Sequence, residues 1–341
     1  MMDRPSRETR SNASDRVQDA ESSSKDLEDL KDLDAKINAL LPEQYQHCYD
    51  TVKPSSMGSA GLKFDRDGKV AWNEIWTSFC DLALAGGPPH RGSLLEPASA
   101  EDVFREPEKY QKVVEEIARG FWLTTRLPVL PRASVGWVVV RCRSSAMASW
   151  LVRAIMAENV FARHDREMLS LPAGPQFRLG EEIKNVITAL AKTCHYWTDH
   201  MSDNRQEIDL AHGNDTTGES ALLEPATAEE ALAEADLYDD IAEKIRCGVK
   251  EATGFETKTR GALGWVGVQC PDESSAVWLM RALIAEKVAA RREADVLYIP
   301  VSPNFAVENR IPKLMEIVAR VRRLHAVQLA SKRHDDKAVN V

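Results

Sequence analysis

The chain has 341 residues, of which 43% are apolar and 28% are charged, and its formal net charge is -9. That length is sufficient for two domains of ordinary size, and the composition is typical of a soluble globular protein. A negative surface repels phosphate backbones, so the charge argues against nucleic acid as a partner. The sequence has no apolar stretch near the roughly 18 residues that a membrane-spanning helix needs, and its N-terminus is charged, which predicts a cytoplasmic protein that does not contact membranes.

The cysteines give no sign of a metal ribbon or a redox motif. They are spread along the chain without a C-x-x-C pair, at Cys48, Cys80, Cys142, Cys194, Cys247 and Cys270. Reduced thiols are therefore the expectation.

The N-terminal region divides into two parts. Residues 1–24 are polar and charged with almost no large apolar side chain, which predicts an acidic disordered tail. Within an N-terminal extension at residues 25–80, leucine and isoleucine recur at spacings of three and four over residues 27–41 and predict an amphipathic helix. That helix either packs onto the rest of the chain or docks to a partner.

The remainder of the chain is a tandem duplication. A shift of 128 residues aligns Asp81 with Asp209 and continues without a gap to Trp197 and His325, with 38 identities in 117 positions. Chance would give about one identity in fifteen to twenty positions. We assign repeat 1 to residues 81–200, repeat 2 to residues 201–330 and a flexible C-terminal tail to residues 331–341.

The elements of each repeat can be placed from its pattern. Repeat 1 predicts a helix at about residues 100–120, a possible strand at 123–130, a strand at 138–142, a helix that includes residues 147–155, a hairpin at 160–171 and a final helix at 179 to about 197. Ser144 or Ser145 can cap the second helix, and Asp272 takes this position in repeat 2.

This order predicts an α+β protein built as a tandem duplication of a ferredoxin-like sandwich, in which one antiparallel sheet carries both helices on one face. If residues 123–130 form the fourth strand, each unit is permuted, with its last strand moved to the front. Two such sheets in one chain are expected to pair about a pseudo-two-fold axis.

The loop GGPPHRG, residues 86–92, is the segment most typical of a site. Glycines allow a backbone to approach a ligand closely, and three are present, Gly86, Gly87 and Gly92. His90 would act as an acid or base beside the fixed cation Arg91. The spacing matches no phosphate or dinucleotide loop, and a stiff interdomain connection explains the composition equally well.

Among the charged positions retained in both repeats, three pairs are of most interest, Arg153 and Arg281, Glu158 and Glu286, and Arg163 and Arg291. One interpretation is structural, an arginine paired with a carboxylate across the interface between the repeats. The other is functional: Arg163, followed by His164, lines a pocket for an anionic group.

The segment KTCHYWTDH brings Cys194, His195 and His200 together in sequence. Metal ligation by these side chains is conceivable, but without a second cluster the pattern is weak, and we predict no metal site. The sequence identifies no cofactor.

The function favoured by the sequence is that of a duplicated cytoplasmic protein that binds a small anionic ligand or a protein partner as an accessory, regulatory or assembly factor. One alternative is an enzyme with a single site between the repeats, in which His90 is the acid or base and Arg91 and Arg163 hold a carboxylate or phosphate. Another is a non-catalytic subunit of a homo-oligomer or larger complex, docked through the helix at residues 27–41.

Overall fold

The chain forms nine helices and two small antiparallel sheets within the ranges that a computed structural model describes, residues 11–43, 45–46, 62–74, 95–131, 134–202, 222–258, 263–307 and 309–339. The helices are α1 (Ser11–Asn38), α2 (Ala100–Arg105), α3 (Pro107–Thr125), α4 (Ser145–Ala157), α5 (Lys184–His195), α6 (Ala228–Ala233), α7 (Ala235–Thr253), α8 (Glu273–Ala285) and α9 (Arg310–Val339). The strands are β1 (Trp137–Arg141), β2 (Arg163–Asp165), β3 (Met168–Pro172), β4 (Thr257–Lys258), β5 (Trp265–Gln269), β6 (Arg291–Glu293) and β7 (Val296–Pro300). The α+β class is confirmed.

The two sheets have matching strand orders. The first is β1-β3-β2 and the second is β4-β5-β7-β6, with every pair antiparallel. Because side chains alternate along a strand, Val138 and Val140 lie on one face of β1 and are buried, while Trp137 lies on the other face. The same alternation in β5 places Trp265 on the face opposite to Val266.

The elements of the repeats recur at the spacing seen in the sequence. Helices α2, α3 and α4 and strands β1, β2 and β3 have counterparts with bounds 128 residues later, α6, α7, α8, β5, β6 and β7. Even the turns agree. Gly136 and Gly264 have φ values of +84° and +87°, and an added Cβ would lie 2.4 Å and 2.5 Å from the carbonyl oxygens of Ala98 and Ala226. Glycine is therefore required at both turns.

The predicted strand at residues 123–130 is much reduced in repeat 1. Helix α3 continues to Thr125, and Val129 forms an isolated bridge with Val140. Pro128 and Pro131 flank this residue and have no amide hydrogen to donate to a sheet. Repeat 2 has no proline at these positions, and β4 forms there.

The N-terminal helix packs onto its own chain. It begins at Ser11, so part of the tail predicted to be disordered is helical, and it contacts α8 and α9. Its apolar stripe is buried at Leu33 and Ile37, while Leu27 is 43% exposed. Arg323 of α9 pairs with an aspartate of α1, Nε lying 3.1 Å from Asp26 Oδ1. A partner that docks through residues 27–41 would thus find this stripe covered. The C-terminal residues 331–339, predicted to be flexible, continue α9.

One aromatic pair lies between helices in each repeat. In repeat 1 the rings of Trp150 and Trp197 are 5.8 Å apart, and in repeat 2 the rings of Trp278 and His325 are stacked at 5.3 Å. The four tryptophans retained in both repeats are buried, namely Trp137, Trp150, Trp265 and Trp278. The pKa of His325 is lowered to about 4, mainly by burial. The nearby cations Arg322 and Lys332 contribute to this lowering, and Asp272 opposes it.

His325 should make stability depend on pH. Between its unfolded value near 6.5 and its folded pKa of about 4, the unfolded state binds a proton that the folded state does not, so stability falls as pH drops through this window. Urea unfolding at pH 7 and at pH 4.5 measures how much of the free energy of unfolding is lost at the lower pH. This loss should be smaller for His325→Phe than for wild type. The control Trp197→Phe, at the matching position, should retain the wild-type loss, and equal losses in all three proteins would contradict the assignment.

Candidate functional site

The repeats are joined by one ion pair made twice. Arg291 Nη1 lies 3.4 Å from Glu96 Oε1, and Arg163 Nε lies 3.4 Å from Glu224 Oε2. Arg291 is the counterpart of Arg163 at the shift of 128 residues, and Glu224 is the counterpart of Glu96. The arginine of each repeat therefore pairs with the glutamate of the other repeat. The contact has pseudo-two-fold symmetry.

Further contacts between the repeats are buried. The Asn159 side chain donates to the carbonyl oxygen of Arg292 at 2.9 Å and accepts from the amide of Arg292 at 3.0 Å. The edge of Phe161 meets the ring of Trp265 at a centroid distance of 5.7 Å. Helices α4 and α8 also pack together.

A cleft with a volume of about 570 Å³ lies between the repeats and is lined by both. Its floor is the outer face of the second sheet, with Trp265, Arg291 and Tyr298. Repeat 1 contributes Glu96 and Phe177.

Arg291 occupies the centre of this arrangement. Its guanidinium carbon lies 4.2 Å from the ring centroid of Tyr298 and 5.0 Å from that of Trp265. Trp265 Nε1 donates to Glu96 Oε1 at 2.7 Å, and the Tyr298 hydroxyl donates to Glu293 Oε2 at 3.1 Å. Burial lowers the pKa of Arg291, against the opposing effect of both glutamates, and burial raises the pKa of Glu96. Stacking and carboxylates together hold a buried cation.

The matching pair in repeat 1 has a different environment. The Arg163 guanidinium carbon lies 5.4 Å from the Phe161 ring centroid, and Arg163 also donates to the Pro225 carbonyl. Ser170 takes the position of Tyr298, so the second ring near Arg163, besides Trp137 at 5.9 Å, is that of Phe161. Burial raises the pKa of Glu224 to about 7, and Glu230 adds to this effect while Arg163 opposes it.

The structure separates Arg163 from His164. The two residues are adjacent on β2, and their cross-strand partners are Ser170 and Leu169, which lie on opposite faces of the sheet. His164 Nδ1 lies 3.2 Å from the carbonyl oxygen of Arg166 in its own hairpin, and burial lowers its pKa. The two side chains thus lie on opposite faces of the sheet, and an anion pocket formed by Arg163 and His164 stays a prediction.

The other retained charges lie inside their own repeats. Lys192 Nζ donates to Glu158 Oε1 at 2.7 Å, and both side chains are buried. Glu286 accepts from Arg320 at 2.9 Å and also from Lys36 of α1 at 3.1 Å. These glutamates stabilise helix packing and do not reach the cleft.

The loop at residues 86–92 lies outside the described residues, and with it Gly86, Gly87, His90, Arg91 and Gly92. Farther along the chain, Leu95 lines the cleft together with Glu96 and Pro97. A parallel β-bridge between Leu95 and Val160 positions this segment.

The histidines of the KTCHYWTDH segment converge. His195 Nε2 lies 3.0 Å from His200 Nε2, and His195 Nδ1 lies 2.7 Å from Asp199 Oδ2. Burial and the nearby His195 lower the pKa of His200. Cys194 is buried, and burial holds its pKa far above the ordinary value, so its thiol is neutral. Within the described part of the chain, no three His, Cys, Asp or Glu side chains are arranged around a metal position.

The remaining buried thiols are also unreactive. Burial raises the pKa of Cys142 and of Cys270 to about 12, so neither is a thiolate near neutral pH.

Sequence reasoning missed the two glutamates of the interface. Glu96 and Glu224 belong to a segment, LLEP, that both repeats retain, and neither glutamate was among the residues singled out from the sequence. A retained carboxylate beside two retained arginines was the available signal for the ion pairs.

Comparisons with protein families, with characterised proteins and with solved structures give no match to this chain. Across the described ranges, the helices lack a stretch both long and apolar enough to span a bilayer.

The two ion pairs should differ in strength. The Arg291 side chain is 4% exposed and that of Arg163 is 20% exposed. Removing one partner of a buried pair costs about 3 kcal/mol, because the other charge stays buried, whereas a more exposed pair is worth about 1 kcal/mol. In urea unfolding, Arg291→Ala should therefore have a clearly lower free energy of unfolding than Arg163→Ala. The reverse order would contradict the view that the Arg291 pair is the stronger one.

Proposed function

We propose that this protein is a non-enzymatic accessory protein that binds a small molecule in the cleft between its repeats. The observation that carries the proposal is the cleft itself, which both repeats build. Its volume of about 570 Å³ lies within the usual range for small-molecule sites, about 300–1,000 Å³. Binding sites are also common where two units of a chain meet.

The charge of the lining favours a cation over the anion that the sequence predicts. Four carboxylates line the cleft against one guanidinium, that of Arg291, and they belong to Glu96, Asp102, Glu182 and Glu293. Two of them are already paired outside the lining, Asp102 with Arg105 and Glu182 with Arg178, so Glu96 and Glu293 beside Arg291 are the main candidates to bind a ligand. Ionised carboxylates accept hydrogen bonds but do not donate them. The ligand is therefore an organic cation with N–H donors, such as an amine or a guanidine.

The apolar lining indicates the body of that ligand. Phe177 and Leu263 contribute carbon surface, and Leu263 is 46% exposed. The ring faces of Trp265 and Tyr298 are covered by Arg291 and are less accessible to a ligand. A short aliphatic chain between the charged groups fits this lining best.

The fold of each repeat is proposed to be a permuted ferredoxin-like unit. The strand order β4-β5-β7-β6 supports this, since it places the strand that comes first in sequence at the edge beside β5. The β4-β5 pair is antiparallel, as a fourth strand moved to the front would be.

The cytoplasm is the compartment we propose. Cys142, Cys194, Cys247 and Cys270 are free thiols, and reduced thiols are usual in that compartment.

Ligand charge can be tested directly by thermal unfolding. Agmatine, a guanidine with a terminal amine on an aliphatic chain, should raise Tm in a saturable manner, because it binds the folded state. Succinate and inorganic phosphate should leave Tm unchanged. A saturable rise with either anion and none with agmatine would overturn the charge argument and support the sequence-based prediction.

The location of the site is tested with a matched pair of variants. Glu293→Gln removes a carboxylate from the cleft and should weaken agmatine binding about tenfold in calorimetric titration. Asp165→Asn changes the corresponding position of repeat 1, which does not line the cleft, and should bind as wild type. Equal affinities would place the ligand elsewhere.

An enzyme that uses His90 is the second candidate, and the observation that favours it is the place of Leu95 and Glu96 in the cleft lining, a few residues after His90. We expect incubation of the protein with a cell metabolite extract to consume no compound, as followed by mass spectrometry. A compound consumed by wild type and left intact by both His90→Ala and Arg91→Ala would establish the enzyme instead.

A further inference from the structure

A second site lies away from the cleft, at the C-terminal end of α5. The chain there forms a π-helical turn, Tyr196–His200, directly after the α-helix. Because a π-helix places residues i and i+5 on one face, it brings His195 and His200 together, whereas an α-helix would do so for i and i+4. Their rings are perpendicular, at 87°, with centroids 4.5 Å apart.

The hydrogen bonds of His195 orient its outer nitrogen. Nδ1 lies 2.7 Å from the carboxylate of Asp199, which accepts a hydrogen bond and so fixes the proton on Nδ1. Nε2 then accepts a hydrogen bond from His200 Nε2–H at 3.0 Å, and a bound metal would replace this proton, which is released to solvent. A carboxylate behind a histidine in this manner is the arrangement found around histidine metal ligands.

We propose that His195 and His200 chelate a divalent transition metal through their Nε2 atoms. Imidazole nitrogen suits Zn²⁺, Cu²⁺ and Ni²⁺. With metal–nitrogen bonds of about 2.0–2.1 Å, a nitrogen separation of 3.0 Å gives an N–metal–N angle of about 91–97°. That angle suits the tetragonal geometry of Cu²⁺ and Ni²⁺ more than a tetrahedron, and Cu²⁺ binds most tightly in the divalent series.

The remaining coordination positions fall to water and to oxygen. The Tyr45 hydroxyl lies 3.3 Å from His200 Nε2, so it reaches the same point from a different part of the chain. A cavity of about 340 Å³ reaches His195 and Asp199 but is not lined by His200, and Arg143 also lines it. Cys194 is no ligand, because its buried thiol is neutral.

Repeat 2 lacks this site. Arg323 takes the position of His195, and it pairs with Asp26 and Asp29 of α1 at 3.1 Å and 3.6 Å. The second copy thus uses this helix face to bind the N-terminal helix, and we expect one metal for each chain.

The test is a Cu²⁺ titration of the full-length protein by calorimetry and electron paramagnetic resonance. Wild type should bind one equivalent most tightly, with hyperfine coupling to two nitrogens. His195→Ala and His200→Ala should each lose one nitrogen coupling and weaken binding at least tenfold. His164→Ala, which removes a histidine elsewhere in the same repeat, should bind as wild type.

Asp199→Asn gives a finer test. Loss of the carboxylate behind a ligand typically weakens metal binding about 10- to 100-fold, and circular dichroism will show that the fold is retained. Since Cu²⁺ oxidises exposed thiols such as Cys247, the calorimetry is repeated with Ni²⁺. Unchanged affinity and coupling in both histidine variants would overturn the proposal.

Discussion

Each arginine of the repeated hairpin is held by a glutamate from the opposite repeat, and the arrangement of the whole chain depends on this exchange. A guanidinium taken out of water is costly unless a carboxylate accompanies it, and Arg291 is 4% exposed. Neither repeat supplies the main carboxylate for its own arginine, because Glu96 of repeat 1 pairs with Arg291 and Glu224 of repeat 2 pairs with Arg163. The repeats therefore complete each other, and the cleft between them is a permanent feature of the fold.

Within this symmetric frame the two copies have diverged in chemistry. Tyr298 stacks on Arg291 and lines the cleft over the sheet of repeat 2, whereas Ser170 takes its position in repeat 1. His325 is found where repeat 1 has Trp197, and His195 is found where repeat 2 has Arg323. Within the described residues, the side chains of both proposed sites are thus not repeated in the other copy.

Much of the fold was predictable, because the comparison of the two repeats separates structural from variable positions. Ser144 and Asp272 were recognised as helix caps, and both cap as predicted. The ion pairs were predicted only as a type of contact, since a sequence does not show which carboxylate faces Arg163. The contact between His195 and His200 could not be predicted either. In an α-helix these residues, five apart, would lie on different faces, and the π-helical turn that brings them together has no clear sequence signal. The assignment of the loop at residues 86–92 as a site or as a stiff connection stays a prediction.

The claim that the repeats form one unit is tested most directly by hydrogen exchange and mass spectrometry of the intact protein in increasing urea. If the exchanged arginines join the repeats, the amides of β1 and β3 and those of β5 and β7 will lose protection at the same urea concentration. Loss of protection in one sheet while the other stays protected at higher urea would contradict this account.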